Sequence, residues 1–472
     1  MPEKILFLTG RLAEPALRRT LANISLPCAF EVVVMPISIA ALMTTAWIAH
    51  HFNLPESHPR HRRLPPDCDL MMIPGHCQGD LAEIEQACGI SVEKGPIDLQ
   101  EIPWHFGQKP RRASYGRYSV QIMAEIQDAL QLDQAELLVQ AEYYRRNGAE
   151  IIDLGITPGS SAETVAGTVR LLKQAAYQVS VDSLDPAVIR EADAAGVDYV
   201  LSLNADNLEL GRSLRAVPVV IPDEDGELTS LWQNAEQVWA WGKDCILDPI
   251  IQPISFGFSR SLHDLYQTRQ RYPEAKLMMG THHLSELTDA DTTGINGLLM
   301  GVAQELDLDF VLTTEVAPWA RGSVQELDIA RRLMHYALTE GVLPKRIETG
   351  LLTIKESRLI RQDEVTLREM QTALTDLNIR IFIDDTNIYA FNADLFVADT
   401  DIEAIFDQLG IDEAGHAFYL GQELTKARLA LQLGKNYRQD QPLNWGYLSV
   451  PDGPTEQRHV RLTTQRRHQK KD

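Results

Sequence analysis

The chain contains 472 residues, with 44 lysines and arginines against 66 aspartates and glutamates, and it carries a formal net charge of -22. This acidity argues against nucleic acid and anionic membranes as partners, because both would be repelled over most of the protein surface. The five cysteines show no CxxC spacing, and the apolar run at residues 5–8 is too short for a signal peptide. We therefore expect a soluble, cytoplasmic protein of several domains with no membrane partner.

The N-terminal part of the chain alternates between short apolar runs and helical patterns. The runs lie at residues 5–8, 30–35 and 70–73. Such alternation predicts a parallel sheet covered by helices, which we assign to a Rossmann-like α/β domain over residues 1–112. The segment contains neither a GxGxxG motif nor a Walker loop, so no nucleotide site is predicted.

Eight strand-like apolar runs follow, at residues 120–126, 150–154, 178–182, 199–203, 217–221, 245–248, 276–280 and 310–313. Most are separated by helical patterns, and this even spacing predicts a (β/α)8 TIM barrel over residues 113–345. A doubly wound sheet is the alternative. The predicted fold class of the whole chain is α/β, with the TIM barrel flanked by the N-terminal Rossmann-like domain and by a small C-terminal α+β domain over residues 346–450.

The pattern changes in the C-terminal domain. Apolar runs at residues 379–383 and 388–391 flank an Asp-Asp-Thr-Asn segment, which predicts a hairpin. A helical pattern over residues 418–433 ends at Gly434, a residue typical of the position after a helix. Residues 451–472 are polar and lack periodicity, so we expect them to be disordered.

Acidic side chains recur where the barrel strands should end. Asp153, Asp182 and Asp248 each lie inside or at the end of an apolar run, where a carboxyl is costly unless it has a partner. Any one of them could simply cap the following helix, but three at equivalent positions favour a shared ligand. The 2-amino-4-oxo edge of a pterin presents adjacent N–H donors that a carboxylate accepts together, and Asn204 could satisfy a neighbouring donor and acceptor.

Motifs in this region resemble those of dihydropteroate synthases. The segments concerned are residues 148–155, 179–183 and 194–198 followed by Asn204, then Leu247-Asp248-Pro249 with Phe256-Gly257-Phe258, and lastly Arg321 with residues 323–326. The resemblance covers about half of the chain. Together with the N-terminal domain and residues 416–421, the arrangement resembles the dihydropteroate synthase-related proteins of tetrahydromethanopterin biosynthesis.

The resemblance implies an activity and a set of site residues. A transferase of this kind condenses a hydroxymethyl-dihydropterin pyrophosphate with an arylamine, so the expected partners are these two small molecules, and a homodimer is one expected assembly. The residues expected to bind the pterin are Asp153, Asp182, Asn204, Asp248 and Phe258. Arg321 and His282 are the expected catalytic residues, and Ser160, Ser161, Arg321 and Ser323 are the expected phosphate-binding residues. Ser160 and Ser161 could equally be an ordinary helix start.

The sequence departs from the family pattern at two strands. Glu125 and Asp128 stand near the position of the family's asparagine after the first strand, and their oxygens could bind Mg²⁺. Thr281-His282-His283 stands where the family has Ser-Arg-Lys, and no lysine follows before Lys345. We expect one of the two histidines to face the mouth and the other to be merely exposed, because adjacent strand residues point in opposite directions.

Two other functions remain open. A pterin-dependent methyltransferase uses the same kind of barrel and needs no pyrophosphate site. A non-catalytic pterin carrier or scaffold would need only the ring-binding residues. The departures from the family pattern after the first and seventh strands argue against synthase activity more than they argue against pterin binding.

Overall fold

The computed structural model describes residues 3–24, 26, 28–97, 99–107, 115–157, 159–223 and 226–449. The predicted disordered tail at residues 451–472 lies outside the described residues. The chain divides into two compact units. The first comprises Met1–Arg117 with Tyr336–Arg346, and the second comprises Tyr118–His335 with Ile347–Asp472. Among the described residues, no helix has both the length and the apolar character that crossing a membrane requires.

The first unit contains a four-stranded parallel sheet in the order β2-β1-β3-β4. Its elements are β1 (Lys4–Thr9), α1 (Glu14–Ala22), β2 (Ala29–Val34), α2 (Thr45–Asn53), β3 (Leu70–Ile73), α3 (Ala82–Cys88), β4 (Ser91–Lys94) and α4 (Ile102–His105). The predicted Rossmann-like alternation is present. Sequence patterns missed β4, because Val92 is its only buried residue. Helix α2 begins at Thr45, where the side chain of the preceding Thr44 accepts the Trp47 N–H and caps the helix.

The second unit contains a closed barrel of eight parallel strands, in which the last strand pairs with the first. The strands are β5 (Gln121–Ile126), β6 (Ile151–Leu154), β7 (Gln178–Asp182), β8 (Tyr199–Leu203), β9 (Val217–Val220), β10 (Ile246–Leu247), β11 (Lys276–Gly280) and β12 (Phe310–Thr313). Every strand coincides with a predicted run. Closure confirms the TIM barrel and excludes the doubly wound alternative.

Helices connect and follow the barrel strands. They are α5 (Gln134–Arg146), α6 (Ala162–Gln174), α7 (Pro186–Ala195), α8 (Leu228–Ala240), α9 (Phe258–Arg271), α10 (His282–Ser285), α11 (Thr292–Glu305) and α12 (Ser323–Glu340). The connection from β8 to β9 contains a short 3-10 helix, residues 208–212, in place of an α-helix. Inside the barrel, apolar side chains such as Met123, Ile246 and Phe310 form a packed layer beneath the carboxyl ends of the strands.

The C-terminal part of the second unit has its own small core. Strands β13 (Arg380–Ile383), β14 (Ile388–Phe391) and β15 (Phe396–Asp399) form an antiparallel sheet. Helices α13 (Glu364–Thr372), α14 (Ile402–Leu409) and α15 (Ala414–Leu433) accompany it. The predicted hairpin is present, and Gly434 has a left-handed φ of 66° at the end of α15, as expected of a C-cap.

Candidate functional site

A cavity of about 270 Å³ opens at the carboxyl ends of the barrel strands. We call it the barrel mouth. The side of the barrel on which it lies is where TIM-barrel enzymes carry their active sites. Its lining residues are Glu125, Asp153, Asp182, Leu201, Ser202, Val219, Ile221, Asp248, Ile250, Met278, Gly280, His282, His283 and Leu312. Four carboxyl groups and two imidazoles therefore face one small space, and this described lining includes no lysine or arginine.

Asp153 is the most deeply buried of these acids. It is 2% exposed, and its Oδ1 accepts the Ser180 hydroxyl at 2.6 Å. Ser180 is available because it lies directly opposite Asp153 in the pairing of β6 with β7. Burial raises the pKa of Asp153 well above its usual value, and the nearby Asp182 carboxyl raises it further. Asp153 therefore keeps its proton to a higher pH than a solvent-exposed aspartate does.

Asp182 lies at the end of β7, closer to solvent. The residue is exposed, and partial desolvation of its carboxyl raises its pKa. A hydrogen bond from the Ser202 hydroxyl lowers the pKa of Asp182. Ser202 reaches the mouth because of an irregularity in β8, where the register with β9 shifts between Val200 and Leu203. Ser202 has a φ of 65°, so it and Leu201 both line the mouth although they are consecutive.

Asp248 follows β10 and holds a strained turn. Its Oδ1 accepts the Ile250 N–H at 2.8 Å. Ile250 has a φ of 61°, a conformation that is costly for a β-branched residue. Burial raises the pKa of Asp248 to about 7, the Ile250 N–H lowers it, and Asp182 contributes a further rise. Near neutral pH, Asp248 is therefore divided between acid and carboxylate.

Glu125 enters the mouth from β5 beside Gly155. A Cβ atom at Gly155 would lie 2.7 Å from Glu125 Oε1 and 3.0 Å from the carbonyl oxygen of Ile126, so only glycine leaves room there. Burial, followed by repulsion from Asp182 and Glu286, raises the pKa of Glu125. The residue expected at a metal site is thus a further acid in the same acidic cavity.

His282 and His283 both line the mouth, so the expectation that one would be merely exposed is wrong. The strand ends at Gly280 and α10 begins at His282, so the two side chains follow a helical rather than an alternating arrangement. Their ring centroids are 4.1 Å apart. His283 Nδ1 donates to the Ile251 carbonyl at 2.6 Å. Burial lowers the pKa of both rings, that of His282 to about 4, so both are neutral at pH 7.

Four expected ligand-contacting residues lie outside the cavity lining. Asn204 is buried, and its Oδ1 accepts the Asp206 N–H at 3.2 Å within its own turn. Phe258 begins α9 and packs against the main barrel core. Arg321 is exposed. Ser323 is fully buried at the start of α12, and its hydroxyl has no partner among the described residues.

The remaining expected residues also stay outside the lining. The Ser160 hydroxyl donates to the Thr157 carbonyl at 2.6 Å, and Ser161 precedes α6 without capping it through its side chain. Asp128 is exposed, with a φ of 53°, and it accepts a hydrogen bond from Gln131. Asp128 and Glu125 are therefore not brought together around one point in the mouth. In the part of the chain that the structure describes, no group of three or more acidic, histidine or cysteine side chains is arranged to hold a metal ion.

A second cavity of about 340 Å³ lies in the first unit, at the carboxyl ends of β1 and β3. Although it is larger, its walls are mainly apolar, and His76 is the one ionisable side chain of its described lining. The barrel mouth, by contrast, concentrates acids with raised pKa values, which is typical of functional sites. We therefore take the mouth as the candidate site.

Two family models match parts of this chain. One, described as a family of unknown function (DUF6513), matches residues 3–97, and the other, described as PterinBD-DUF4346, matches residues 397–440. The second match covers most of β15 and all of α14 and α15, outside the barrel mouth. An uncharacterized protein of Methanocaldococcus jannaschii is 26% identical over an alignment of 522 residues, which covers 93% of this chain and 98% of that protein.

Among solved structures, part of this chain is similar to dihydropteroate synthases. The Yersinia pestis enzyme with a pterine-sulfa conjugate is 18% identical with a TM-score of 0.37, and the match covers 47% of this chain and 94% of that one. The 7,8-dihydropteroate synthase of Vibrio fischeri ES114 is 13% identical with a TM-score of 0.37, and the match covers 47% of this chain and 93% of that one.

Proposed function

We propose that the barrel mouth binds the ring of a pterin. The observation that carries this proposal is the convergence of Asp153, Asp182 and Asp248 on one cavity of about 270 Å³. A flat heterocycle with adjacent N–H donors matches such a set of carboxyl oxygens. The family model described as PterinBD-DUF4346 supports the same ligand class.

The walls of the mouth suit a flat ring. Leu201, Val219, Ile250 and Met278 contribute apolar surface on which ring faces can pack. The volume lies near the lower end of the range for ligand pockets, about 300 Å³, which fits a bicyclic ring better than an extended ligand. Ring recognition therefore combines apolar contact on the faces with hydrogen bonds at the edge.

The protonation states supply both donors and acceptors. An ionised Asp248 accepts from the N–H groups of the 2-amino-4-oxo edge, whereas a protonated Asp153 can donate to a ring acceptor. The hydrogen bond from His283 Nδ1–H to the Ile251 carbonyl leaves Nε2 as an acceptor on a neutral ring. The mouth can thus complement a pterin without a cationic side chain.

The finer function that the sequence resemblance predicts is condensation of hydroxymethyl-dihydropterin pyrophosphate with an arylamine in tetrahydromethanopterin biosynthesis, with Mg²⁺ at the pyrophosphate. Arg321, its expected phosphate ligand, is exposed and outside the cavity lining. The geometry therefore supports ring binding better than pyrophosphate displacement. Incubation with the pyrophosphate ester and p-aminobenzoate or its ribofuranosyl phosphate analogue tests the reaction, and absence of pyrophosphate release with both amines would leave methyl transfer or non-catalytic binding.

Replacement of Asp248 tests ring binding. We expect Asp248→Asn to weaken the binding of 6-hydroxymethyl-dihydropterin by about tenfold or more, because a hydrogen bond to a charged group contributes about 1.5–3 kcal/mol. Asparagine retains an oxygen for the Ile250 N–H, so the turn should persist. Calorimetric titration at pH 8, where Asp248 is ionised, measures the change.

Asp244→Asn is the matched control. Asp244 is exposed and precedes β10, so the same substitution removes a charge at the opposite end of the same strand. The control should bind the pterin like the unmodified protein. Equal affinity of the Asp248→Asn protein and the control would refute the proposed site.

A further inference from the structure

We propose that the barrel mouth selects pterins without a phosphate group and that Glu315 is a determinant of this selectivity. This inference rests on the proposed function, since it concerns which pterin the same mouth accepts. Three observations carry it: the charge of the lining, the contacts of Glu315, and the surroundings of the other expected phosphate ligands.

The lining of the mouth is acidic on several sides. Glu125 lies on β5, Asp153 on β6, Asp182 on β7 and Asp248 after β10. Their charges are not offset within the cavity, because the described lining includes no lysine or arginine and both histidines are neutral at pH 7. A phosphate carried by the ligand would therefore meet repulsion from whichever of the four groups are ionised.

The first turn of α12 is already occupied by a carboxylate. In TIM barrels, the loop after the last strand and a nearby helix N-terminus commonly form the phosphate site. Here Glu315 Oε1 accepts the Val324 N–H at 3.0 Å, and Oε2 accepts the Tyr143 hydroxyl at 3.1 Å. Glu315 makes the contact with this helix start that a phosphate oxygen would otherwise make.

The cation near this helix also lies close enough to Glu315 to affect its carboxyl group electrostatically. The positive charge of Arg321 lowers the pKa of the Glu315 carboxyl, an effect smaller than the opposing rise that burial causes. Arg321 itself is exposed. The guanidinium that the resemblance assigns to phosphate therefore lies near an acid of the protein itself.

In the described part of the serine loop before α6, one expected phosphate ligand already has a partner within the protein. The Ser160 hydroxyl donates to the Thr157 carbonyl and so stabilises its own turn. Pro158 lies outside the described residues. Phosphate-free ligands therefore match the charges of the mouth and its surroundings better than phosphorylated ones do.

The test compares three ligands on the full-length protein. Dissociation constants are measured by calorimetry at pH 8 for 6-hydroxymethylpterin, its monophosphate and its diphosphate. We expect the monophosphate to bind about tenfold or more weakly than the free alcohol, the effect of one repulsive charge pair near a protein surface, and the diphosphate to bind more weakly still.

Glu315→Gln tests the role of Glu315. Glutamine retains an oxygen for the Val324 N–H but removes the negative charge. We expect the ratio between the monophosphate and alcohol dissociation constants to fall several-fold, with the affinity for the alcohol nearly unchanged. Glu305→Gln is the control, because Glu305 is an exposed glutamate at the C-terminal end of α11, on the opposite side of the barrel from the mouth.

The possible failures are distinguishable. If the phosphorylated ligands bind as tightly as the alcohol or more tightly, pterin binding stands and the selectivity proposal is overturned. If Glu315→Gln and Glu305→Gln give the same ratio, the role of Glu315 is overturned. If none of the three ligands binds, the proposed function itself fails, and the inference fails with it.

Discussion

The ionised form of Asp248, which accepts hydrogen bonds from the proposed ligand, is also the form that makes the folded protein less stable. Its pKa rises from a usual 3.8 to about 7 in the folded protein. Between these two values, the folded state holds a proton that the unfolded chain has released. Stability contributed by this group is therefore fully present below about pH 4, falls as the pH rises toward 7, and remains reduced above that.

This linkage predicts a pH-dependent gain in stability on removal of the charge. We expect Asp248→Asn to raise the free energy of unfolding by about 1–3 kcal/mol at pH 8 and to change it little at pH 4. Urea unfolding of the ligand-free protein at the two pH values measures the difference. A loss of stability at pH 8 would show that the carboxylate has a compensating partner.

Position along the strand was sufficient to identify Asp153, Asp182 and Asp248 as candidates from the sequence. Ser202 and Ile250 were missed, because their presence in the mouth depends on left-handed backbone conformations that side-chain type does not disclose. The serine within the apolar run of β8 was the one available signal. Asn204 was placed in the site by its amide chemistry and by resemblance, but the bulge before it and its own turn direct its oxygen to a local contact.

At the scale of elements, Arg331 links the last barrel helix, α12, to the first two barrel strands through hydrogen bonds and ion pairs. This residue of α12 is 1% exposed, and its guanidinium donates to the carbonyls of Val120 and Gly148, both at 2.8 Å. It also pairs with Glu150 at 2.9 Å and with Asp328 at 2.7 Å. These contacts lie at the amino ends of β5 and β6, opposite the mouth, where TIM-barrel residues serve stability.

Loss of the hydrogen bonds and ion pairs of Arg331 should destabilise the barrel. We expect Arg331→Met to lower the free energy of unfolding by about 3–5 kcal/mol, because it leaves buried acceptors and acids without their cation. Arg332→Met is the control, since the neighbouring side chain is 30% exposed and pairs with Asp328 nearer to solvent, and should cost about 1 kcal/mol or less. Urea unfolding compares the two, and equal losses would contradict a special role of Arg331.

Elements with long apolar runs were predicted well, and elements with few buried residues were not. All eight barrel strands coincide with predicted runs because both faces of each are covered, which gives continuous apolar stretches. In β4, one residue of four is buried, and β15 likewise has one fully buried residue, Val397. Such strands form because they pair with a neighbouring strand, and their own residues show little of the apolar pattern that predicts a strand.

At the scale of the whole molecule, each unit has its own apolar core. Leu6, Met71 and Ile84 belong to a core of the first unit, whereas Val179 and Leu247 belong to the main core of the barrel. All the residues that line the mouth lie between Glu125 and Leu312, within the second unit. Ligand binding at the mouth should therefore stabilise the barrel directly.

Hydrogen exchange can locate this effect. At a pterin concentration about 100 times the dissociation constant, we expect up to about 2.7 kcal/mol of added protection in amides that exchange through barrel opening. The increase should include β7, β8 and β10 and should be absent from β1 to β4. Mass spectrometry of peptides with and without 6-hydroxymethyl-dihydropterin measures it, and protection confined to the first unit would place the ligand elsewhere.

The sequence by itself determined the barrel, its eight strands and the acids at their ends, because strand periodicity and strand-end position are local properties of the chain. Only the tertiary structure decided which polar groups meet. Closure of the sheet brought Glu125 beside Asp182 and both histidines into one cavity, while Arg321, Asn204 and Phe258 stayed outside its lining. The described lining of the mouth is acidic and includes no lysine or arginine, and this character arises from residues on strands that are distant in the sequence, so no local sequence pattern predicts it.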